Sequence, residues 1–262
     1  MVLSSVLFGI VFSLLAFIFT LFLISRFLKK ENEFSEPKVS IVIPAYNEEQ
    51  GIKACLDSIF SSNYPKNKIK VIVVDDGSTD NTVRILKAYK KINILRQNHL
   101  GKVEALNFGA LNSFNEIIIT LDADTTLDKD CVRELVKPFS AKDIGATTGN
   151  NIVKNKKSIL GLFQNVEYHF SNLIRNSFST VFKSGVWIAG SLACYRKTAL
   201  KKIGYFKKDT LAEDIDIALE LKKAGYKTVI VSTAFGSTIV PSRFKELYKQ
   251  RAKKRKSILK MY

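Results

Sequence analysis

The chain has 262 residues, 46% of them hydrophobic, and 41 Lys and Arg against 24 Asp and Glu, a formal net charge of +17. This excludes an intrinsically disordered chain and suits one α/β domain plus an appendage. The positive excess calls for a polyanionic neighbour, which is nucleic acid, an anionic membrane surface or a phosphorylated substrate.

Val2 to Ser25 carries no charge and is mostly Leu, Phe, Ile and Val. At 1.5 Å per residue the run exceeds the roughly 30 Å hydrocarbon core of a bilayer, so residues 1–30 read as a transmembrane anchor. A cleaved signal peptide is the alternative, but the basic residues Arg26, Lys29 and Lys30 follow the apolar run instead of preceding it. By the positive-inside rule they place the N-terminus outside and the remaining chain in the cytoplasm of a cell-membrane protein. Residues 31–37, with Glu31, Glu33, Glu36 and Pro37, read as a polar linker to a domain over 38–240.

Val39 to Ile43 reads as a strand that must end at Pro44, since proline cannot pair in a central ladder. Tyr46-Asn47-Glu48 then turns into a helix through Ser62. A second strand, Ile69 to Val74, runs into Asp75-Asp76-Gly77-Ser78, a glycine turn followed by a helix cap. After that helix come a short strand from Ile92 to Leu95, a loop holding Asn98, Gly101 and Lys102, and a helix to Phe114. The Ile-rich run Ile117 to Leu121 reads as a strand buried on both faces, and it stops at Asp122-Ala123-Asp124. This alternation predicts βαβ units and a mostly parallel sheet flanked by helices. Asp75, Asp76, Asp122 and Asp124 then share the carboxyl edge of the sheet, where a nucleotide with a metal-bound diphosphate would fit.

Beyond Asp124 the expected elements are a helix from Asp128 to Phe139, a strand from Ala146 to Val153 and a long helix from Ser158 to Phe178. That helix carries Gln164, Glu167, Tyr168 and Arg175. Trp187 to Ser191 precedes a strand from Leu192 to Tyr195, and Leu211-Ala212-Glu213-Asp214 opens a helix ending near Gly225. In the basic tail, 241–262, Phe244, Leu247 and Tyr248 have the i, i+3, i+4 spacing of one helix face, which reads as an interfacial helix against anionic membrane lipid.

Cys55, Cys131 and Cys194 are odd in number and lack metal-ligand spacing, which suits buried thiols in a reducing compartment. The Gly101 loop is neither Gly-x-Gly-x-x-Gly nor a P-loop, His99 and His169 read as structural, and no Gly-x-Ser-x-Gly elbow is present. Taken singly, Asp76-Gly77-Ser78 is an ordinary turn and cap, and Glu213-Asp214 are ordinary first-turn acids. A membrane-tethered nucleic-acid-binding protein would need a basic, aromatic stripe across the folded domain. The charge concentrates in the tail instead, and no RRM, KH or zinc pattern is readable, so nucleic acid is not an expected partner. A phosphoacceptor receiver domain would leave Asp122, Asp124 and Glu213-Asp214 unexplained.

Taken in order, several segments resemble the family 2 glycosyltransferases of GT-A fold, over nearly everything from residue 38 to about 230. They are Val42 to Glu48, Val73 to Asp80, Asn98 to Asn107, Asp122-Ala123-Asp124, the Gln164 to Tyr168 helix, Gly190-Ser191 with Arg196, and Glu213-Asp214. The later segments and the anchor look most like the branch that builds cellulose, chitin, hyaluronan and poly-N-acetylglucosamine. The resemblance implies an inverting transfer from a nucleotide sugar, UDP-linked, to a saccharide or lipid-linked saccharide acceptor. Pro44, Tyr46, Glu48, Asp75 and Asp76 would hold base and ribose, and Lys102 would add positive charge near the diphosphate. Asp122 would touch the ribose or the metal, Asp124 would ligate Mg²⁺ or Mn²⁺, and Asp214 would be the general base, with Glu213, Gly190, Ser191 and Gln250 on the acceptor side. Gln250-Arg251-Ala252-Lys253-Lys254 departs from the Gln-x-x-Arg-Trp motif of processive members, and no later apolar span precedes Tyr262. Either the sequence is a piece of a longer enzyme, or one or a few sugars are added to a lipid-linked acceptor. A polyprenyl-phosphate glycosyltransferase is therefore the alternative.

Overall fold

The computed structural model describes residues 2–27, 34–182, 188–207 and 213–259. Lys29, Lys30, Glu31, Glu33, Trp187, Leu211 and Ala212 lie outside the described residues. An eight-stranded sheet has the order β3-β2-β1-β4-β7-β6-β8-β5, with β1 Val39–Ala45, β2 Ile69–Asp75, β3 Ile92–Arg96, β4 Ile117–Leu121, β5 Thr126–Leu127, β6 Ile144–Val153, β7 Leu192–Arg196 and β8 Lys227–Thr238. The first four strands in that order run parallel. β7 is antiparallel to both β4 and β6, while β6 and β8 are parallel to each other. The mostly parallel sheet with flanking helices is as the sequence predicts, with reversed β7 set into its middle and the short β5 antiparallel to β8 at its edge.

Strand residues alternate between two cores, as a pleated strand covered on both faces requires. Val39, Ile41 and Ile43 of β1 and Ile117 and Ile119 of β4 join α2 (Ile52–Phe60) and α5 (Cys131–Val136) on one face. Val42 and Ile118 join α4 (Lys102–Leu111), α7 (Lys197–Lys202) and α8 (Glu213–Lys223) on the other. Cys55, Cys131 and Cys194 are buried free thiols, as expected.

Three details differ from the sequence expectation. β1 continues through Pro44 to Ala45, because its pairing with β4 ends at Val42 and Pro44 is matched only to Val74 of β2. The twelve-residue β8 was not anticipated, since Ser, Thr and Gly break its apolar alternation. β7 runs against β4, so Arg196 pairs opposite Ile117 and sits at the amino edge of β4, far from Asp122. There it bonds Glu116 and the carbonyls of Phe139, Ala141 and Ile144.

α1 (Val2–Phe27) contains the stretch Val6–Ile24, of mean hydropathy 2.8, long and apolar enough to cross a membrane. It packs against the long helix α6 (Ile159–Phe182), where Phe17 meets Phe178 edge to face at 6.3 Å. α9 (Phe244–Leu259) is helical as expected, with Phe244 and Tyr248 exposed.

Ile119 of β4 is completely buried beneath the acidic turn. Ile119→Ala is expected to cost about 2–5 kcal/mol and to lower the thermal midpoint of the full chain in detergent; an unchanged midpoint would contradict its place in the core.

Candidate active site

The site is built where β1, β2 and β4 end on one edge. The turn after β1 and the turn after β2 are knitted together: the Asn47 N–H donates to Ser78 Oγ at 3.0 Å, Glu48 N–H to Thr82 Oγ1 at 2.8 Å, and Thr79 N–H to Asn47 Oδ1 at 2.8 Å. Gly77 has φ +82°, and its α-carbon faces the His99 backbone so closely that a side chain would strain both turns.

Asp76 is nearly fully buried and accepts from one loop. Oδ1 takes Gln97 Nε2 at 2.7 Å and Leu100 N–H at 2.8 Å, while Oδ2 takes Gly101 N–H at 2.9 Å and lies 3.0 Å from His99 Nδ1. Burial alone would raise its pKa, but these donors outweigh it and hold the carboxyl below its ordinary value. Asp75 accepts from Ser78 N–H at 3.0 Å and lies 3.1 Å from Arg96 Nε. Both carboxylates therefore shape the edge through protein contacts. His99 is the residue that sequence reasoning passed over: its ring stacks on Tyr46 with centroids 3.9 Å apart and the planes 27° from parallel. Its place between Asn98 and Gly101-Lys102 was the available signal.

The same loop ends at Lys102, whose Nζ lies 2.6 Å from Asp122 Oδ1. Asp122 N–H donates to the Ser191 carbonyl at 3.1 Å, so the antiparallel β7 brings Gly190-Ser191 to the acids. Asn151 Nδ2 donates to Ser191 Oγ at 2.6 Å. The Asp122-Ala123-Asp124 turn is pressed against the first turn of α2: a Cβ on Gly51 would meet Asp124 Cα at 2.9 Å and the Ala123 carbonyl at 3.0 Å.

Glu48 faces this turn. Desolvation first, then the charges of Asp124, Asp122 and Asp80, push its pKa up to about 7 against a smaller opposing effect of Lys102. Asp124 is raised too, by burial and by Asp122. The acids crowd each other with Lys102 as an incomplete counter-charge, and their oxygens are the hard donors that Mg²⁺ or Mn²⁺ prefers. Among the described residues no three acidic, His or Cys side chains form a closed metal cage. Asp124 and Asp122 could hold a divalent ion that shares its remaining positions with an anionic ligand. Tyr168 of α6 borders the site; burial raises its phenol pKa, and the charge of Asp124 reaches it. Pro44 lies at the end of β1 beneath these turns. The backbone of Glu213 and Asp214 opens α8, and Gln250 lies within α9, but the side chains of these three are outside the described residues.

Residues 40–204 match the family model described as Glycosyl transferase family 2. The chain belongs to this family. A poly-beta-1,6-N-acetyl-D-glucosamine synthase of Staphylococcus epidermidis is 33% identical over 235 residues, covering 87% of this chain and 56% of the relative. One from Staphylococcus aureus is 31% identical over 221 residues, covering 82% and 53%. The chain thus spans about half the length of these curated relatives. Among solved structures, the mannosyltransferase PcManGT from Pyrobaculum calidifontis in complex with GDP-Man and Mn²⁺ superimposes with a TM-score of 0.68 at 25% identity, over 93% of this chain and 72% of that one. TarS 1-349 from S. aureus has a TM-score of 0.60 at 19% identity, over 81% and 62%, and shares the fold. The fold is the GT-A type of family 2.

The raised pKa of Glu48 has a definite sign. Its ionised form is disfavoured in the folded chain, so stability falls as pH rises from the unfolded value through about 7. A cation favours the ionised form, so Mn²⁺ affinity in the presence of UDP should rise by up to about tenfold per pH unit below that value and level off above it. Calorimetric titrations from pH 6 to 8 check this, with Glu48→Gln expected to flatten the dependence.

Proposed function

We propose that this chain is the catalytic part of a membrane-anchored, metal-dependent, inverting glycosyltransferase that moves a sugar from a UDP-linked donor to a saccharide or lipid-linked saccharide acceptor. The observation that carries this reading is the acid cluster Glu48, Asp122 and Asp124 at the carboxyl edge, under-neutralised by Lys102. The names of the Staphylococcus relatives support N-acetylglucosamine as the sugar and a β-1,6-linked polymer as the product. The Mn²⁺ and nucleotide sugar of PcManGT support the donor and cofactor class.

In this reading Tyr46, with His99 stacked behind it, offers a ring face to the nucleobase, and Pro44, Glu48, Asp75 and Asp76 shape the pocket for base and ribose. Asp124 and Asp122 would hold Mg²⁺ or Mn²⁺. When bound, the ion supplies Lewis-acid neutralisation of the charge that grows on the leaving diphosphate. Lys102 adds a second positive charge beside it. Asp214 takes the proton from the acceptor hydroxyl as that oxygen attacks the anomeric carbon opposite the leaving group, which inverts the configuration. A carboxylate is a weak base for a sugar alcohol, so the proton moves late, once the attacking oxygen has become acidic. Glu213, Gly190, Ser191 and Gln250 lie on the acceptor side. α1 crosses the cell membrane with its N-terminus outside, the catalytic domain lies in the cytoplasm, and the basic α9 rests on anionic headgroups through Phe244 and Tyr248. A second reading, transfer directly to polyprenyl phosphate, is favoured by Lys254 standing where processive members carry tryptophan.

A calorimetric screen of nucleotide sugars with Mn²⁺ or Mg²⁺ tests the donor: UDP-N-acetylglucosamine should bind, and Asp124→Ala should abolish that binding. Asp214→Asn should keep donor binding while lowering transfer by about 10²-fold or more. Full transfer by that variant would remove the base assignment. Product analysis with an N-acetylglucosamine oligosaccharide and with polyprenyl phosphate separates the two acceptor readings.

A further inference from the structure

Helix α6 is built inside out. In a soluble domain the apolar stripe of a surface helix faces the core and the polar side faces water. Here the side toward the domain is polar: Gln164 donates to the Pro241 carbonyl at 2.9 Å, Asn172 donates to the Asn151 carbonyl at 2.9 Å, and Ser179 Oγ accepts from Ile230 N–H at 2.9 Å. All three are buried. The outward side carries Ile159, Leu162, Phe163, Val166 and Phe170, which are 48–79% exposed. At 3.6 residues per turn these five fall within an arc of about 100°. They form one continuous stripe.

Three observations identify what covers it. First, α1 packs on the C-terminal half of the same helix, and Ser177, on the azimuth of the stripe, is buried there at 1% exposure. The stripe is therefore continuous with the apolar surface of α1. Second, α1 is buried at Ile18 and Leu21. Leu21 and Ile18 are five and eight residues before Arg26, about 8 and about 12 Å along a helix axis, close to the depth of about 5–10 Å at which interfacial helices lie below the headgroups. Third, the open end of the stripe is bordered by exposed Lys154, Lys156 and Lys157, and Arg251 of α9 reaches Glu167 on α6 at 2.5 Å. Apolar side chains flanked by unpaired lysines match a leaflet with anionic headgroups.

We propose that the outward stripe of α6 lies in the headgroup–acyl boundary of the bilayer that α1 crosses, with the acidic turn on the cytoplasmic side beneath that helix. This placement rests on the reading of α1 as a membrane span. Tyr168, on the opposite side of the same helix, feels the charge of Asp124, which places the acids about one helix width beneath the stripe.

Nitroxide labels on the full chain in vesicles containing anionic lipid test the placement. Phe163→Cys and Val166→Cys report on the stripe, Phe12→Cys on α1, and Lys53→Cys, on the exposed side of α2, on water; the three native thiols are buried. The substituted side chains are exposed, so the fold should persist, and retained UDP binding checks this. Labels at 163 and 166 should be several-fold more accessible to oxygen than to a water-soluble nickel complex, in the manner of Phe12 and unlike Lys53. Water-like values at both positions with a lipid-like Phe12 would overturn the placement of α6 and leave the anchor standing. Water-like values at Phe12 as well would overturn both. Protection from both reagents at 163 and 166 would assign the stripe to a protein partner and overturn the lipid contact.

Discussion

The buried carboxylate of Asp76 is the constraint on which the rest of the site depends. It accepts from Gln97 Nε2 and from the Leu100 and Gly101 N–H groups, and lies beside the His99 ring, all on the loop between β3 and α4. A buried acceptor that loses its partners costs more than the bonds themselves contribute, so the loop has one stable shape. That shape fixes two things at once. It sets the His99 ring on Tyr46, and it delivers Lys102 to Asp122.

The second governing effect is repulsion. Asp122, Asp124 and Glu48 are held together by backbone packing, above all by the approach of Gly51 to the Asp124 α-carbon, and not by attraction among themselves. The fold therefore stores electrostatic strain that a cation relieves. In the proposed reading this is how an edge made of a turn, a helix start and a strand end favours a positively charged occupant without a preformed cage.

Local sequence carried much of this. The Val and Ile runs of β1, β2 and β4 announced buried parallel strands, and the acids at their ends announced the candidate edge, because a strand covered on both faces is mostly apolar until it nears the end of the sheet. Direction was not legible. Nothing in Leu192 to Arg196 says that β7 runs backward, so Ser191 at its start and Arg196 at its end could not be assigned to opposite edges from the sequence. β8 was hidden because its length comes from pairing with β6 and not from its own alternation. His99 was passed over because its partners, Tyr46 and Asp76, are distant in sequence. The inverted amphipathicity of α6 was equally invisible, since a periodic apolar stripe looks the same whether it faces a core or a bilayer.

The unequal lengths of the strands have a kinetic consequence. β4 stops at Leu121, beside Leu192, while β6 and β8 run on together through Val153 and Thr238. From Asn150 onward this pair overhangs the end of β4 by four residues, about 13 Å, alongside the acidic turn. One flank of the acidic turn is thus bounded by a ledge of paired strand. In the proposed reading the deeper seat, against the acids, belongs to the donor. An acceptor already in place would stand across its path. In the proposed reading the ledge therefore favours donor binding before acceptor binding, with the spent nucleotide leaving after the lengthened product has moved aside.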